Sequence, residues 1–228
     1  MSAEDTSIDK LLDGLLPPTV RVAWQRLDDA VEPGFRFKEE AAHVEGAVAK
    51  RRVEFGAGRA LFHRLHDELL AEDAAGDALA PSAPLLVAAD RGPLWPAGVV
   101  GSISHTKGLC VVALARTSDH PRLGLDVEVT APLADKLWPS ILTVSERARI
   151  KGLGARGPLL SKLHFSGKEA VYKWLSRDEN RVVAFEEVEL GFSLARGSFV
   201  TSLLFDNALP SPSGRWRIGR EFLATAVW

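Results

Sequence analysis

The residues of this chain best placed to do chemistry are three carboxylates in two short segments. Asp126 and Glu128 lie in L-G-L-D-V-E-V (123–129), and Glu169 lies in F-S-G-K-E-A-V-Y-K (165–173), beside Lys168 and Lys173. Leu123, Leu125, Val127 and Val129 alternate with Gly124, Asp126 and Glu128. That period of two predicts a strand with both acids on one face. Two acids aimed at one point repel unless a cation or a proton sits between them. Magnesium suits such a pair, because it takes oxygen ligands, keeps several waters and binds one or two carboxylates plus a substrate phosphate.

Each motif also has a plainer explanation. Asp126 and Glu128 fit the solvated face of an edge strand equally well. Ser166 and Glu169 have the S-x-x-E spacing of a capping box at a helix start. Glu169 and Lys173 have the i,i+4 spacing of an ordinary helix ion pair, worth a few tenths of a kcal/mol. On the chemical reading, Glu169 faces the acid strand as a third metal ligand or as a general base, and Lys168 and Lys173 neutralise phosphate oxygens. Local sequence does not choose, and both readings can hold, because the first turn of a helix suits anions.

Two further segments could grip a phosphate. Gly101-Ser102-Ile103-Ser104-His105 precedes an apolar run and could present backbone N–H groups and an imidazole at a strand entrance. A polar turn with a satisfied histidine explains it as well, and for a lone histidine explains it better. The segment ends in His, so it is not the G-x-S-x-G elbow of a serine hydrolase. Arg51 and Arg59 are eight residues apart and Arg52 and Arg59 seven, so either pair shares a helix face and could hold phosphate with the guanidinium fork. Basic helix faces are more often simply solvated.

The elements that must position these groups follow from periodicity and breakers. Residues 1–18 read as an amphipathic lead-in ending at Pro17-Pro18, and Val20 to Trp24 as a first strand. Residues 38–72 read as one long helix, with Gly56 and Gly58 marking a kink or a tight packing point. Residues 73–84 are a small-residue loop, Leu85 to Ala89 a short strand, and 90–98 a turn region. L-C-V-V-A-L-A (109–115) is a buried strand that the turn at 117–122 joins to the acid strand as an antiparallel hairpin. Residues 143–152 and 158–177 are helical, and several strand-like runs follow from Arg181, beginning with V-V-A-F. The expected class is α+β, in two halves, 1–122 and 123–228.

Composition narrows the function. The 228 residues are 46% hydrophobic and 25% charged, the profile of a globular protein. A net charge of −2 gives no bulk attraction to nucleic acid or membrane. Cys110 is the single cysteine, which excludes an internal disulfide and fits a reducing compartment. The acidic start M-S-A-E-D-T-S-I-D-K has no hydrophobic signal segment, and no apolar run has membrane-spanning length. The expected location is the cytoplasm.

Singly these motifs are weak, but their order is specific. R-R-V-E-F-G-A-G-R (51–59), W-P-A-G-V-V-G-S-I-S-H (95–105), G-L-D-V-E (124–128) and F-S-G-K-E-A-V-Y-K (165–173) together resemble the 4′-phosphopantetheinyl transferase superfamily, in its two-half monomeric type. The first two segments point to the enterobactin-synthetase-component-like branch. The resemblance runs from about residue 45 to 190.

The resemblance implies a pseudo-twofold fold of two similar α+β halves, each a small antiparallel sheet packed with a long helix, with coenzyme A and magnesium bound in the cleft between them. It implies transfer of the phosphopantetheine arm of coenzyme A to a serine of an apo acyl or peptidyl carrier protein, with release of adenosine 3′,5′-bisphosphate. By position, Asp126 and Glu128 match metal-binding acids, and Glu169 matches the third acid, as metal ligand, base or both. Lys168 and Lys173 match the basic residues of the same motif, with Lys173 on the pyrophosphate. Ser104 and His105 match the pair near the coenzyme phosphates, with His105 at the 3′-phosphate. Arg51 and Arg59 match residues holding the nucleotide end, with Arg52 an alternative to Arg51, and Arg91 falls in the stretch lining the adenine pocket.

Gly167 stands where Ala is common in the family, and Leu125 where Ile is common. A lysine often found before the W-P segment is replaced by Val87 and Ala88, so Arg91 is the residue available to take over its contact. Carrier proteins of this family present an acidic helix, which makes Lys151, Arg156, Leu159, Leu160 and Lys162 candidates for docking, or else the outer face of an ordinary amphipathic helix. The competing functions are a magnesium-dependent phosphohydrolase using the same acids on a nucleotide-type substrate, and a non-catalytic carrier or nucleotide binding module.

Overall fold

In the computed structural model, residues 3–28, 31, 34–72, 79–88, 91–175, 183–206 and 209–228 are described. In chain order the elements are α1 (Ala3–Leu12), β1 (Arg21–Arg26), α2 (Lys38–Ala42), α3 (Ala49–Ala71), β2 (Val99–Thr106), β3 (Leu109–Arg116), β4 (Gly124–Val129), α4 (Trp138–Ile141), α5 (Val144–Gly152), α6 (Gly157–Leu175), β5 (Val188–Ser193), β6 (Ser198–Leu203), β7 (Ser213–Ile218) and β8 (Phe222–Val227). Helices and antiparallel sheets are mixed, as the α+β class requires. Two compact units form. Pro18–Leu123 makes one, and the N-terminal residues through Pro17 join Gly124–Trp228 in the other. The lead-in that the sequence reading put in the first half thus belongs to the second unit, where α1 packs on β7 and β8.

The Pro18–Leu123 unit is a three-stranded sheet, ordered β1-β3-β2, with α3 across one face. Ala57, Leu61, Phe62, Leu65 and Leu69 of α3 pack on Ala23, Cys110, Val112 and Leu114. The expected helix over 38–72 is two helices, because Gly46 takes φ +77° between α2 and α3, a conformation that suits glycine and ends a helix. Gly56 and Gly58, by contrast, leave α3 unbroken. A Cβ at Gly58 would sit 3.1 Å from Ile103 Cγ2, so this glycine lets helix and sheet approach closely.

Gly101-Ser102-Ile103-Ser104-His105 lies within β2 rather than before a strand. A Cβ on Gly101 would meet Trp95 at 2.7 Å, so the W-P-A-G-V-V-G spacing seats the indole on the sheet. Of the strand expected at Leu85 to Ala89, only Val87 pairs, in an isolated bridge with Pro93; Ala89 lies outside the described residues, as do 73–78 of the expected loop.

The second unit is a five-stranded antiparallel sheet ordered β4-β8-β7-β6-β5. One core joins Ala170, Val171, Trp174 and Leu175 of α6 to Val188, Leu190, Phe199 and Val227. The hairpin expected between 109–115 and the acid strand does not form. Both edges of β3 are taken, by β1 and β2, and β4 pairs instead with β8. Residues 176–177 of the expected second helix and 181–182 of V-V-A-F lie outside the described residues, and Phe185 begins a 3-10 turn, not a strand.

Candidate active site

The acid strand is pressed against α6. A Cβ on Gly124 would lie 1.9 Å from Ala170 O and 3.0 Å from Trp174 N, so only glycine permits this approach of strand to helix backbone. Asp126 and Glu128 share Gly124's face by alternation, and both meet α6. Lys173 Nζ donates to Asp126 Oδ1 at 2.8 Å and to Leu125 O at 3.0 Å. Lys162 Nζ donates to Glu128 Oε2 at 2.9 Å. Ser166 on the same helix face bonds Thr225 of β8 at 2.9 Å.

Glu169 lies on that face, seven residues after Lys162 and four before Lys173. Burial raises the pKa of its carboxyl above the ordinary value; Lys173 opposes the rise, and the charges of Asp126 and Glu128 add to it. The three acids expected from sequence therefore share one electrostatic neighbourhood, with lysine ammonium groups as its cations. Among the described residues no three His, Cys, Asp or Glu side chains are already spaced as a metal cage. Magnesium does not need one, since one or two carboxylates with water and phosphate suffice. The donor chemistry fits that ion.

Ser166-x-x-Glu169 is no helix start. Ser166 is the tenth residue of α6, and a capping box forms instead at Thr143 and Glu146, at the start of α5. Lys168, expected at the coenzyme phosphates, points into the core. Its Nζ donates to Glu146 Oε2 at 2.6 Å, Ile141 O at 2.8 Å and Phe185 O at 2.9 Å, which uses all three of its hydrogens. Glu146 also accepts from Thr143 N and Leu190 N, each at 2.8 Å. Burial lowers the Lys168 pKa, against the attraction of Glu146. This pair ties α6 to α5 and β5. The glycine next to it, Gly167, faces Leu190 Cδ1, which an added Cβ would meet at 2.7 Å, so Leu190 and Phe192 occupy the space a family alanine would take.

The other unit gathers a basic group around Phe55 on α3. The Arg59 guanidinium lies 3.8 Å from the ring centroid and that of Arg51 5.7 Å, the i±4 neighbours of one aromatic platform. Arg59 is buried and donates from Nε to Leu85 O at 3.1 Å. Burial lowers its pKa to about 10, with Glu40 opposing the shift and Arg51 adding to it. Arg51 Nη1 lies 3.4 Å from His105 Nε2, and His105 Nδ1 lies 3.7 Å from Glu54 Oε2.

Arg51, Arg59 and His105 are thus brought together. Ser104 is buried on the opposite face of β2 from His105, since neighbours on a strand point to opposite sides. Arg52 donates to Ala47 O at 2.6 Å, at the start of α3. Arg91 is exposed and holds φ 72°, an uncommon backbone for a non-glycine residue, next to Gly92, whose carbonyl accepts from Ala88 N.

Sequence reading did not single out Phe55, Glu54 or the Lys162–Glu128 and Lys168–Glu146 pairs. The i±4 spacing of Phe55 from Arg51 and Arg59 was the available signal for the platform, and Lys162 lies two helical turns before Glu169. Of the docking candidates, Leu160 is core and Lys162 is held by Glu128, while Lys151 and Arg156 are exposed. Among the described residues no helix is long and apolar enough to cross a membrane.

Comparison with known proteins agrees with the motif order. Residues 39–115 match the family described as 4′-phosphopantetheinyl transferase N-terminal domain, and residues 122–226 match the 4′-phosphopantetheinyl transferase superfamily. The chain is 36% identical over 203 residues to 4′-phosphopantetheinyl transferase Svp of Streptomyces mobaraensis, covering 84% of this chain and 77% of that protein. It is 29% identical to 4′-phosphopantetheinyl transferase PptT of Mycobacterium tuberculosis, over 97% of this chain and 99% of the relative. Enterobactin synthase component D of Salmonella typhi is 34% identical over 58% of this chain and 52% of its own length. On two matched segments and relatives that span most of its length, the chain belongs to the 4′-phosphopantetheinyl transferase superfamily.

Proposed function

We propose that this enzyme moves the 4′-phosphopantetheine arm of coenzyme A onto a serine of an apo carrier protein, with magnesium held by Asp126 and Glu128 and completed by Glu169 or by water. The observation that carries the reading is the close seat of Gly124 on α6, which brings Asp126 and Glu128 of the strand against the helix face that carries Glu169 and Lys173.

Bound there, magnesium would supply a Lewis acid on the pyrophosphate oxygens. The rest falls to the chain's own groups. Glu169, its pKa raised by burial, takes the proton of the carrier serine hydroxyl, a role worth roughly 100- to 10,000-fold. The serine oxygen forms its bond to the phosphorus bearing the pantetheine arm. The bond from that phosphorus to the bridging oxygen breaks, and adenosine 3′,5′-bisphosphate leaves with the electron pair. Lys173, which in this structure serves as the cation on Asp126, stabilises charge on the phosphate oxygens as it builds. Arg51, Arg59 and His105 hold the nucleotide end, with Arg51 favoured over Arg52 because it lies beside His105.

A carrier with an acidic helix suits the face around α5. There Lys151 and Arg156 are exposed on the stretch that also carries exposed Val144 and Leu153, and Val144 is 75% exposed. Similarity to enterobactin synthase component D makes a siderophore-synthase carrier domain the first acceptor to test.

The test is intact-mass spectrometry of an apo carrier incubated with the enzyme, coenzyme A and Mg²⁺. The carrier gains the mass of one phosphopantetheine arm. The gain disappears on adding EDTA and in Asp126→Ala at unchanged melting temperature. Full transfer by Asp126→Ala removes the metal assignment.

A further inference from the structure

Behind Arg59 lies a buried carboxylate that neither the sequence motifs nor the transfer chemistry uses. Glu40 of α2 is fully buried, and its Oε1 accepts from His63 Nε2 at 2.7 Å and from Leu85 N at 2.8 Å. The other side of the Leu85 residue carries the acceptor for Arg59, whose Nε donates to Leu85 O at 3.1 Å. His63 is wedged between the rings of Phe37 and Phe62, with centroids at 5.2 and 5.0 Å.

Leu85 sits outside any strand, so no sheet ladder fixes it. Its N–H is anchored by Glu40, and its carbonyl sets where the Arg59 guanidinium lies over Phe55. Burial alone would raise the Glu40 pKa, but the hydrogen bonds from His63 and Leu85 and the charges of His63 and Arg59 outweigh it and hold it below the usual value. The carboxylate is therefore anionic near neutral pH.

We infer that Glu40 and His63 are a positioning pair for Arg59, acting through the Leu85 backbone, an assignment that rests on Arg59 holding the nucleotide end of coenzyme A. The geometry has a functional advantage. A carboxylate bound directly to the guanidinium would occupy the N–H groups a phosphate needs. Glu40 instead supplies a counter-charge from behind, while Arg59 makes its one side-chain hydrogen bond among the described residues through Nε. Among the described residues neither terminal nitrogen has a hydrogen-bond acceptor, which suits an anion there.

The experiment is a double-mutant cycle on coenzyme A binding, measured by calorimetry with wild type, Glu40→Gln, Arg59→Ala and the double variant. Glutamine keeps the shape but offers a neutral, weaker acceptor to two donors. Glu40→Gln is expected to weaken binding about tenfold, or about 1.4 kcal/mol. It should raise KM for coenzyme A and leave KM for the carrier unchanged. In the Arg59→Ala background the same change should alter the affinity less than about twofold.

An equal loss in both backgrounds overturns the inference, because Glu40 would then act on the fold and not through Arg59. So does unchanged affinity in Glu40→Gln alone. If Glu40→Gln lacks the native circular dichroism spectrum, His63→Asn, which removes the imidazole and leaves the carboxylate, is put through the same cycle with the same criteria. A wild type that does not bind coenzyme A defeats the transferase reading itself, and the pair's assignment with it.

Discussion

Lys168→Met separates a structural lysine from a phosphate-binding one. In the structure the ammonium is sealed, with three acceptors at 2.6, 2.8 and 2.9 Å and a partner, Glu146, that is itself fully buried. Methionine keeps most of the volume and removes the charge. The Glu146 carboxylate then retains only the N–H groups of Thr143 and Leu190, and two carbonyls lose their donor. Removing one member of a buried pair costs about 3–5 kcal/mol, set against a total of about 5–15 kcal/mol for a folded domain. For a chain of this size that is a fall of about 10 °C in melting temperature.

Glu146→Gln in the same chain neutralises the stranded charge and should recover about 1–2 kcal/mol, a coupling that independent sites would not show. Differential scanning calorimetry measures the losses, and coenzyme A affinity is read by titration well below the melting point. Affinity should change less than about threefold, because no Lys168 hydrogen reaches outward. A variant that melts like wild type yet binds coenzyme A far more weakly would refute the reasoning and return Lys168 to the phosphate site.

Gly124→Ala puts a methyl group into the Ala170 carbonyl and should cost about 3 kcal/mol or more in urea unfolding, beyond ordinary overpacking because the obstacle is backbone; a wild-type midpoint would show that β4 does not lie against α6. His66 is fully buried, stacked on Phe62, with neither ring nitrogen hydrogen-bonded among the described residues. Burial depresses its pKa, against an opposing pull from Asp67 and with additions from His63 and Arg36. A depressed folded pKa means stability that is fully present above the unfolded value of about 6.5 and lost as pH falls from there toward the folded value. His66→Leu should therefore be more stable by about 1 kcal/mol at pH 7 and lose less between pH 7 and 5; an acid slope equal to wild type counts against it.

What the sequence disclosed was periodicity. The alternation of 123–129 located β4 and put Asp126 and Glu128 on one face, and the apolar run at 109–115 located β3. What it withheld was pairing. Adjacent strands 109–116 and 124–129 look like a hairpin, yet they lie in different sheets, because pairing is decided by which partners fill each edge. The S-x-x-E of 166–169 obeys the capping rule but sits where the helix is already under way. The K-E doublet at 168–169 reads as one functional pair, yet neighbours on a helix point about 100° apart. Lys168 turns inward to Glu146 while Glu169 faces the acids. Ser104 and His105 divide in the same way across a strand.

The residues that converge are those spaced by turns, not those side by side. From Lys162 to Lys173 α6 rises about 16 Å, while Asp126 and Glu128 are separated by about 7 Å along β4. The flexible stems of the two lysines close that difference, which is why both reach inward to the strand acids. The short, stiffer carboxylate of Glu169 lies between them. Three acids and two ammonium groups at one seam leave local charge nearly balanced, so β4 can pack closely on α6. The Lys173 ammonium ties Asp126 to α6, a contact that a strand and helix held farther apart by any side chain at position 124 would not permit.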